Sequence, residues 1–181
     1  MIGSTMFLGW AISAVVLPRL SDIFGRRIIF IVSMAIQTVA FLGFFFLHSF
    51  ELFLACMFIF GVASVGRCSI SYLYLLDLLP SNRQVFYGTL LQSMNALSAI
   101  VGALYFWQIS KNWLWICIFA CSLGFIAMMG AIFILPESPK FLISKKRFDE
   151  ARLAINQIAS FNGRSQRFSG LFDTEVEMKA R

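Results

Sequence analysis

Apolar residues run along this chain in long unbroken stretches, with neither strict alternation nor one polar residue in every three or four. Stretches 28–47, 52–76, 88–109 and 113–135 each reach the length of about 20 residues that a helix needs to cross a ~30 Å hydrocarbon core. A fifth stretch, 2–17, spans only about 24 Å at 1.5 Å per residue. It is expected to be a spanning helix whose beginning lies before the first residue. A signal peptide would place positive charge before its apolar core, and here the positive residues follow it. The predicted connections are 18–27, which is charged, 48–51, 80–87 and 110–112. Pro80 should stop one helix and Ser81 should cap the next.

The pattern changes after Pro136. Ser138-Pro139 reads as a hydroxyl cap followed by proline at the first helical position. Ala151, Ala154, Ile155 and Ile158 then fall at i, i+3, i+4 and i+7, which predicts an amphipathic helix over about 148–161. Asn162-Gly163 is its stop signal. Residues 164–181 are polar and carry no structural expectation. The chain therefore divides into a helical membrane bundle, 1–135, and a basic segment, 136–181.

Composition agrees with lipid as the solvent. The 181 residues are 59% apolar and 13% charged, whereas soluble domains have roughly 45–50% and about 25%. A net charge of +6 could suggest nucleic acid, but nine of the fifteen Lys/Arg lie at or after Lys140. A nucleic-acid domain would spread them over a folded polar face. Loops 18–27 and 80–87 carry Arg19, Arg26, Arg27 and Arg83, while the opposing loops carry only Lys111. Positive loops stay in the cytoplasm, so the N-terminus is expected outside and the C-terminus in the cytoplasm. Cys56, Cys68, Cys117 and Cys121 all sit in apolar runs and read as small packing residues. The single histidine, His48, is predicted to lie in a loop. No nucleophile, metal or cofactor set is present in the sequence, so no enzyme activity is expected.

Polar residues within the spans are costly in lipid and therefore informative. Stretch 28–47 has only Ser33, Gln37 and Thr38, and 113–135 has little beyond Ser122 and its cysteines. Both should face lipid over much of their surface. In 52–76, Ser64, Arg67, Ser71 and Tyr74 step by three, four and three, which predicts one polar face. Gly88, Gln92, Asn95, Ser98 and Gly102 repeat the pattern in 88–109. Gln92 and Asn95 suit a cavity wall, and Ser98 with Gly102 suits close helix packing. Arg67 lies mid-span, at a cost of roughly 2.5 to above 10 kcal/mol. It should meet water, an anionic ligand or a carboxylate on another helix; snorkelling or backbone carbonyls are the plainer alternatives.

The charged segments resemble motifs of the major facilitator superfamily. Asp22, Gly25, Arg26 and Arg27 match the loop between that family's second and third helices. Pro18 and Ile23 replace its first glycine and first arginine. The run from Tyr74 through Asp77 and Pro80 to Arg83 is similar to the end of the fourth helix, with Asp in place of Glu. Pro136-Glu137-Ser138-Pro139-Lys140 resembles the motif after the sixth helix in the sugar porter and organic ion branches, with Lys in place of Arg.

The resemblance implies an all-α membrane fold, helices two to six of a twelve-helix bundle, in an incomplete N-terminal half. It implies transport of a small organic ion or sugar by alternating access, with lipid and a small solute as partners. A missing half or a full-length transporter would be a further partner. The rival readings are a non-transporting form that acts by associating with an intact transporter, and a membrane enzyme. Arg26, Arg27 and Arg83 are expected to meet Asp77 and Glu137 in a gate at the cytoplasmic mouth; topology signalling alone is the simpler role.

Overall fold

The computed structural model describes residues 2–46, 49–109 and 111–163. His48 and Ser110, each assigned to a loop, lie outside the described residues, as does 164–181. Five helices are long and apolar enough to cross a membrane. We number them α1 (Ile2–Phe24), α2 (Arg26–Phe46), α3 (Phe50–Leu78), α4 (Asn82–Ile109 with Ser81 as its first residue) and α5 (Trp113–Ile134). Two short helices follow, α6 (Pro139–Ser144) and α7 (Phe148–Phe161). No strand occurs among the described residues.

The helices are longer than the apolar stretches. α1 continues through Pro18 to Phe24 and has 23 residues, about 35 Å at 1.5 Å per residue, so it is not a short span. The reason is that charged residues end a hydropathy stretch without ending a helix. Once beyond the hydrocarbon, the backbone keeps its internal bonds while the side chains meet water. The predicted 18–27 loop therefore shrinks to a single residue, Gly25. Its amide donates to the Ser21 carbonyl and its own carbonyl accepts from Ile29. Gly25 has φ +110°, where a side chain is strained. A Cβ there would also lie 2.8 Å from Glu137 Oε2. Gly25→Ala is expected to destabilise the protein by about 1–3 kcal/mol, read as a lower Tm in detergent; an unchanged Tm would contradict it.

Loop 80–87 contracts likewise. Pro80 occupies the cap position and Ser81 is already helical, so Ser81 is not the cap. The Gln84 amide donates to the Leu76 and Leu79 carbonyls at 2.8 and 3.2 Å, tying α4 to the carbonyls left free at the end of α3.

α1 and α2 both lie against α3, and α2 also meets α5. The α1–α3 contact rests on two glycines: a Cβ on Gly9 would overlap the Phe58 carbonyl, and one on Gly61 the Met6 carbonyl. Small residues let helices approach in this way where lipid removes the hydrophobic drive. Phe41, Phe44, Phe53 and Phe60 form an aromatic seam between α2 and α3, with Phe41 and Phe60 centroids 4.9 Å apart and edge to face. α2 exposes Val32, Ile36, Val39 and Leu42, but buries Ser33, Met34, Gln37 and Ala40.

The Ser98–Gly102 packing expectation is not met among the described residues. Ser98 is exposed, its hydroxyl donates to the Asn95 carbonyl at 2.7 Å, and a Cβ on Gly102 would meet nothing within 4 Å. α4 instead approaches α3 near its start, where a Cβ on Gly88 would lie 2.9 Å from the Tyr72 hydroxyl. Beyond the membrane helices, Phe141 and Leu142 of α6 bury against Ala151 and Ala154 of α7. These two alanines belong to the apolar stripe of α7. Gly163, at φ +70°, follows its last turn, as a helix end favours.

Candidate functional site

One end of the bundle gathers most of the motif residues around two carboxylates. Arg26 begins α2, where a cation meets the positive end of the helix dipole. Two acids offset that cost. Its guanidinium pairs with Asp77 at the end of α3 and reaches Asp22 of α1 at 3.3 Å. Asp77 is nearly buried, its side chain 7% exposed, so its remaining lone pairs need partners. The Ser138 hydroxyl donates to its Oδ2 at 2.9 Å, and Lys140 Nζ stands 3.7 Å from Oδ1. Ser138 also accepts from the Phe141 amide at 3.3 Å as the N-cap of α6. One fully buried hydroxyl thus starts a helix and joins it to α3.

Glu137 serves the second helix start. Its Oε1 accepts the Arg27 and Ser138 backbone amides, both at 3.0 Å. A carboxylate on the open amides of α2 is favoured by hydrogen bonding and dipole alike. Only a glycine at position 25 leaves room for its other oxygen. The Arg27 side chain donates to the Ile132 carbonyl near the end of α5, and the Tyr74 hydroxyl donates to the Pro136 carbonyl. The ends of α2, α3 and α5 are thereby tied to the chain entering α6.

The structure thus brings Asp22, Gly25, Arg26, Arg27, Asp77 and Glu137 together, and it adds Ser138 and Lys140. It does not bring in Arg83, which is exposed on the first turn of α4 and makes no side-chain ion pair among the described residues. Lys140 takes the place at Asp77 that Arg83 was expected to share. Tyr74, read as a cavity residue, belongs to this network and stacks on Phe30 at 6.4 Å.

The other cavity candidates separate. A π-helical turn, Gly66–Ile70, interrupts α3 and contains Arg67. Its wider rotation breaks the single polar face expected for Ser64, Arg67, Ser71 and Tyr74. Ser64 and Tyr74 are buried, whereas Arg67 is exposed. Ser64 and Ser71 donate to the Phe60 and Cys68 carbonyls of their own helix, at 2.8 and 3.1 Å. Their hydroxyls are therefore already satisfied. Gln92 and Asn95 lie on the exposed face of α4, bonded to each other at 3.4 Å, and do not reach Arg67. Arg67 lines two hollows, one with Met34, Gln37, Thr38 and Cys121, the other with Met94, Ser98 and Phe119. Gln37 was passed over in the sequence because a lone amide in an apolar run gives no periodic signal.

The profile of the sugar (and other) transporter family matches residues 1–181. The D-xylose transporter of Levilactobacillus brevis is 32% identical over 156 residues, covering 80% of this chain and 34% of that protein. Organic cation/carnitine transporter 2 of Homo sapiens is 27% identical over 165 residues, 88% of this chain and 28% of its own length. Synaptic vesicle glycoprotein 2A of Rattus norvegicus is 23% identical over 180 residues, 92% and 24% respectively. The chain spans roughly a quarter to a third of these relatives. Five membrane-length apolar helices, an ordered set of motif residues at one end of the bundle and a profile match along the whole chain lead to one assignment: this protein belongs to the sugar (and other) transporter family of the major facilitator superfamily, and it is an integral, multi-pass membrane protein.

Proposed function

We propose that this chain is part of a secondary transporter that moves a small organic solute, an organic ion or a sugar, by alternating access. The observation that carries the reading is the network of Arg26, Asp77, Ser138 and Glu137, which ties three membrane helices to the following segment at one end of the bundle. Buried, partnered charges of this kind specify one arrangement more than they add stability. The Nε groups of Arg26 and Arg27 are buried without an acceptor, so the arrangement is held by less than its full set of bonds. That suits a latch which must open. In this reading the network closes the cytoplasmic mouth and favours the outward-open state. Residues 18–27, 80–87 and 136–181 then lie on the cytoplasmic side, and the first residue lies outside. Arg67, Ser64, Ser71, Gln92 and Asn95 remain candidates for the solute path.

The relatives suggest solutes to try: D-xylose, carnitine and an organic cation such as tetraethylammonium. Purified protein in proteoliposomes should take up at least one of them above empty liposomes. A second reading is supported by the open face of α4, where Gln92, Asn95 and Ser98 are exposed. In it, the chain transports nothing and associates with a full-length transporter. Alternating access normally requires two halves around a midplane site. Absent uptake together with co-purification of a full-length transporter would favour this second reading over the first.

A further inference from the structure

The turn that joins α6 to α7 carries a residue that the backbone does not favour. The Lys146 amide donates to the Ile143 carbonyl and the Arg147 amide to the Leu142 carbonyl, both at 2.9 Å. This pair of bonds closes a helix through one left-handed residue, a place usually taken by glycine. After α7 that residue is Gly163, at φ +70°. After α6 it is Lys146, at φ +59°, the only non-glycine residue with positive φ among the described residues. A side chain is strained there. A lysine where glycine would relax the chain points to a use for its charge.

That charge has no counter-ion nearby. Lys145, Lys146 and Arg147 form an exposed basic corner. Arg147 is paired with Glu150 at 2.6 Å, and Asp149 is paired with Arg152 at 2.9 Å. Neither Lys145 nor Lys146 makes an ion pair among the described residues. Lys145 Nζ stands 5.7 Å from the centre of the Phe141 ring, a contact that orients the ammonium without neutralising it. The carbonyl end of α6 attracts cations, but one would serve a helix of six residues.

The place of the corner identifies the missing anion. α6 is fixed to the end of the bundle by the Ser138 hydroxyl on Asp77, and Phe141 lies against position 25 at the α1–α2 junction. Lys145 follows Lys140, which stands by the same Asp77, by about 7.5 Å of helix. At this end Arg19 and Arg83 are exposed beside the exposed apolar side chains of Val16, Ile23 and Phe86. Cations bordering a lipid-facing surface mark the depth where hydrocarbon gives way to headgroups. In the orientation proposed above, that is the cytoplasmic leaflet, which carries the anionic lipid.

We propose that the corner Lys145-Lys146-Arg147 binds the anionic headgroups of phospholipids and so holds α6 and α7 at the membrane surface. The proposal stands on the assignment to the membrane and does not depend on transport.

A fluorophore sensitive to its surroundings, attached at Ser144→Cys with the four native cysteines replaced by alanine, would report on the corner. The full chain in nonionic detergent would be titrated with short-chain phosphatidylglycerol, short-chain phosphatidylcholine and inorganic phosphate. Native mass spectrometry of the unlabelled chain would count bound lipid independently. Phosphatidylglycerol is expected to give a saturable change that high salt weakens, and the other two none. Lys145→Gln and Lys146→Gly should each raise Kd about fivefold, and together about twenty-fivefold. Lys111→Gln, the same loss of charge at the opposite end of the bundle, should leave Kd unchanged. Lys146→Gly should not lower Tm, because glycine relieves the strained φ. Its expected result is thus weaker lipid binding in a protein at least as stable. An equal response to phosphatidylcholine would overturn the proposal in favour of apolar contact alone. An equal response to inorganic phosphate would overturn it in favour of a free-anion site. A Kd unchanged in the double variant would overturn it too, leaving both lysines to the end of α6. So would a Tm lowered by Lys146→Gly, since the lysine would then serve the fold.

Discussion

Asp77→Ala is expected to cost about 3 kcal/mol, because it leaves the largely buried Arg26 with only the exposed Asp22 as counter-charge. Arg26 is 17% exposed at the side chain and Asp77 is 7% exposed, so little water can replace the lost partner. The substitution also removes the acceptor of the Ser138 hydroxyl, which loosens α6 from α3. Lys140→Ala removes a second cation from the same carboxylate, but Lys140 is 56% exposed and 3.7 Å away. It should cost at most about 1 kcal/mol. Arg83→Ala should fall within about 0.5 kcal/mol of the parent, since Arg83 is exposed outside the network. Thermal unfolding in detergent would rank the three, with a Tm drop of roughly 10 °C for the first. Equal drops for Asp77→Ala and Arg83→Ala would show that the network does not hold this end together. Asp77→Asn keeps an acceptor oxygen and loses the charge. It should recover only the part of the loss that belongs to the Ser138 hydrogen bond, since Arg26 still loses that counter-charge, while shifting accessibility toward the cytoplasm. A cysteine placed at the mouth would then react faster with a thiol reagent added from that side.

Gly61→Val is the second large effect expected, at the opposite kind of contact. A Cβ on Gly61 would overlap the Met6 backbone carbonyl, and the reciprocal Gly9 meets the Phe58 carbonyl. Backbone cannot swing aside as a flexible side chain can. α1 must therefore move off α3 and lose the close contacts that hold membrane helices together. Overpacking of this kind costs about 1–3 kcal/mol. Gly61→Ala should show the lower part of that range. Gly130→Ala is the internal contrast: a Cβ there would meet nothing within 4 Å. Alanine is the better helix former by roughly 0.8–1 kcal/mol, so that change should be neutral or slightly stabilising. A Gly61→Ala variant as stable as Gly130→Ala would rule out the close α1–α3 crossing.

Much of this molecule was legible residue by residue. The five apolar stretches became five membrane-length helices, because no other short element satisfies its backbone in lipid. Ser138-Pro139 became a capped helix start and Asn162-Gly163 a helix end, both local effects of one or two residues. Asp22, Gly25, Arg26, Arg27, Asp77 and Glu137 were singled out by their resemblance to motifs of the major facilitator superfamily. Boundaries were less legible, since charges mark where hydrocarbon ends and helices such as α1 run on past that depth. The polar stripe on α3 failed for a related reason. It assumed uniform α-helical rotation, and the turn at Gly66–Ile70 is π-helical.

The sequence by itself determined the solvent, the number of long apolar helices and the set of charges drawn to one end. Hydropathy, helix length and capping depend on neighbours along the chain, so they can be read from it. Only the tertiary structure decided which charges pair. It gave Asp77 to Arg26, Ser138 and Lys140 rather than to Arg83, and it set Glu137 on the amide of Arg27, 110 positions away. It also set Gln37 and Arg67, two polar residues on different helices with no shared period, along one hollow. Such contacts depend on how helices cross, and the crossing is fixed by glycines and aromatic seams acting between segments, which a linear pattern does not record.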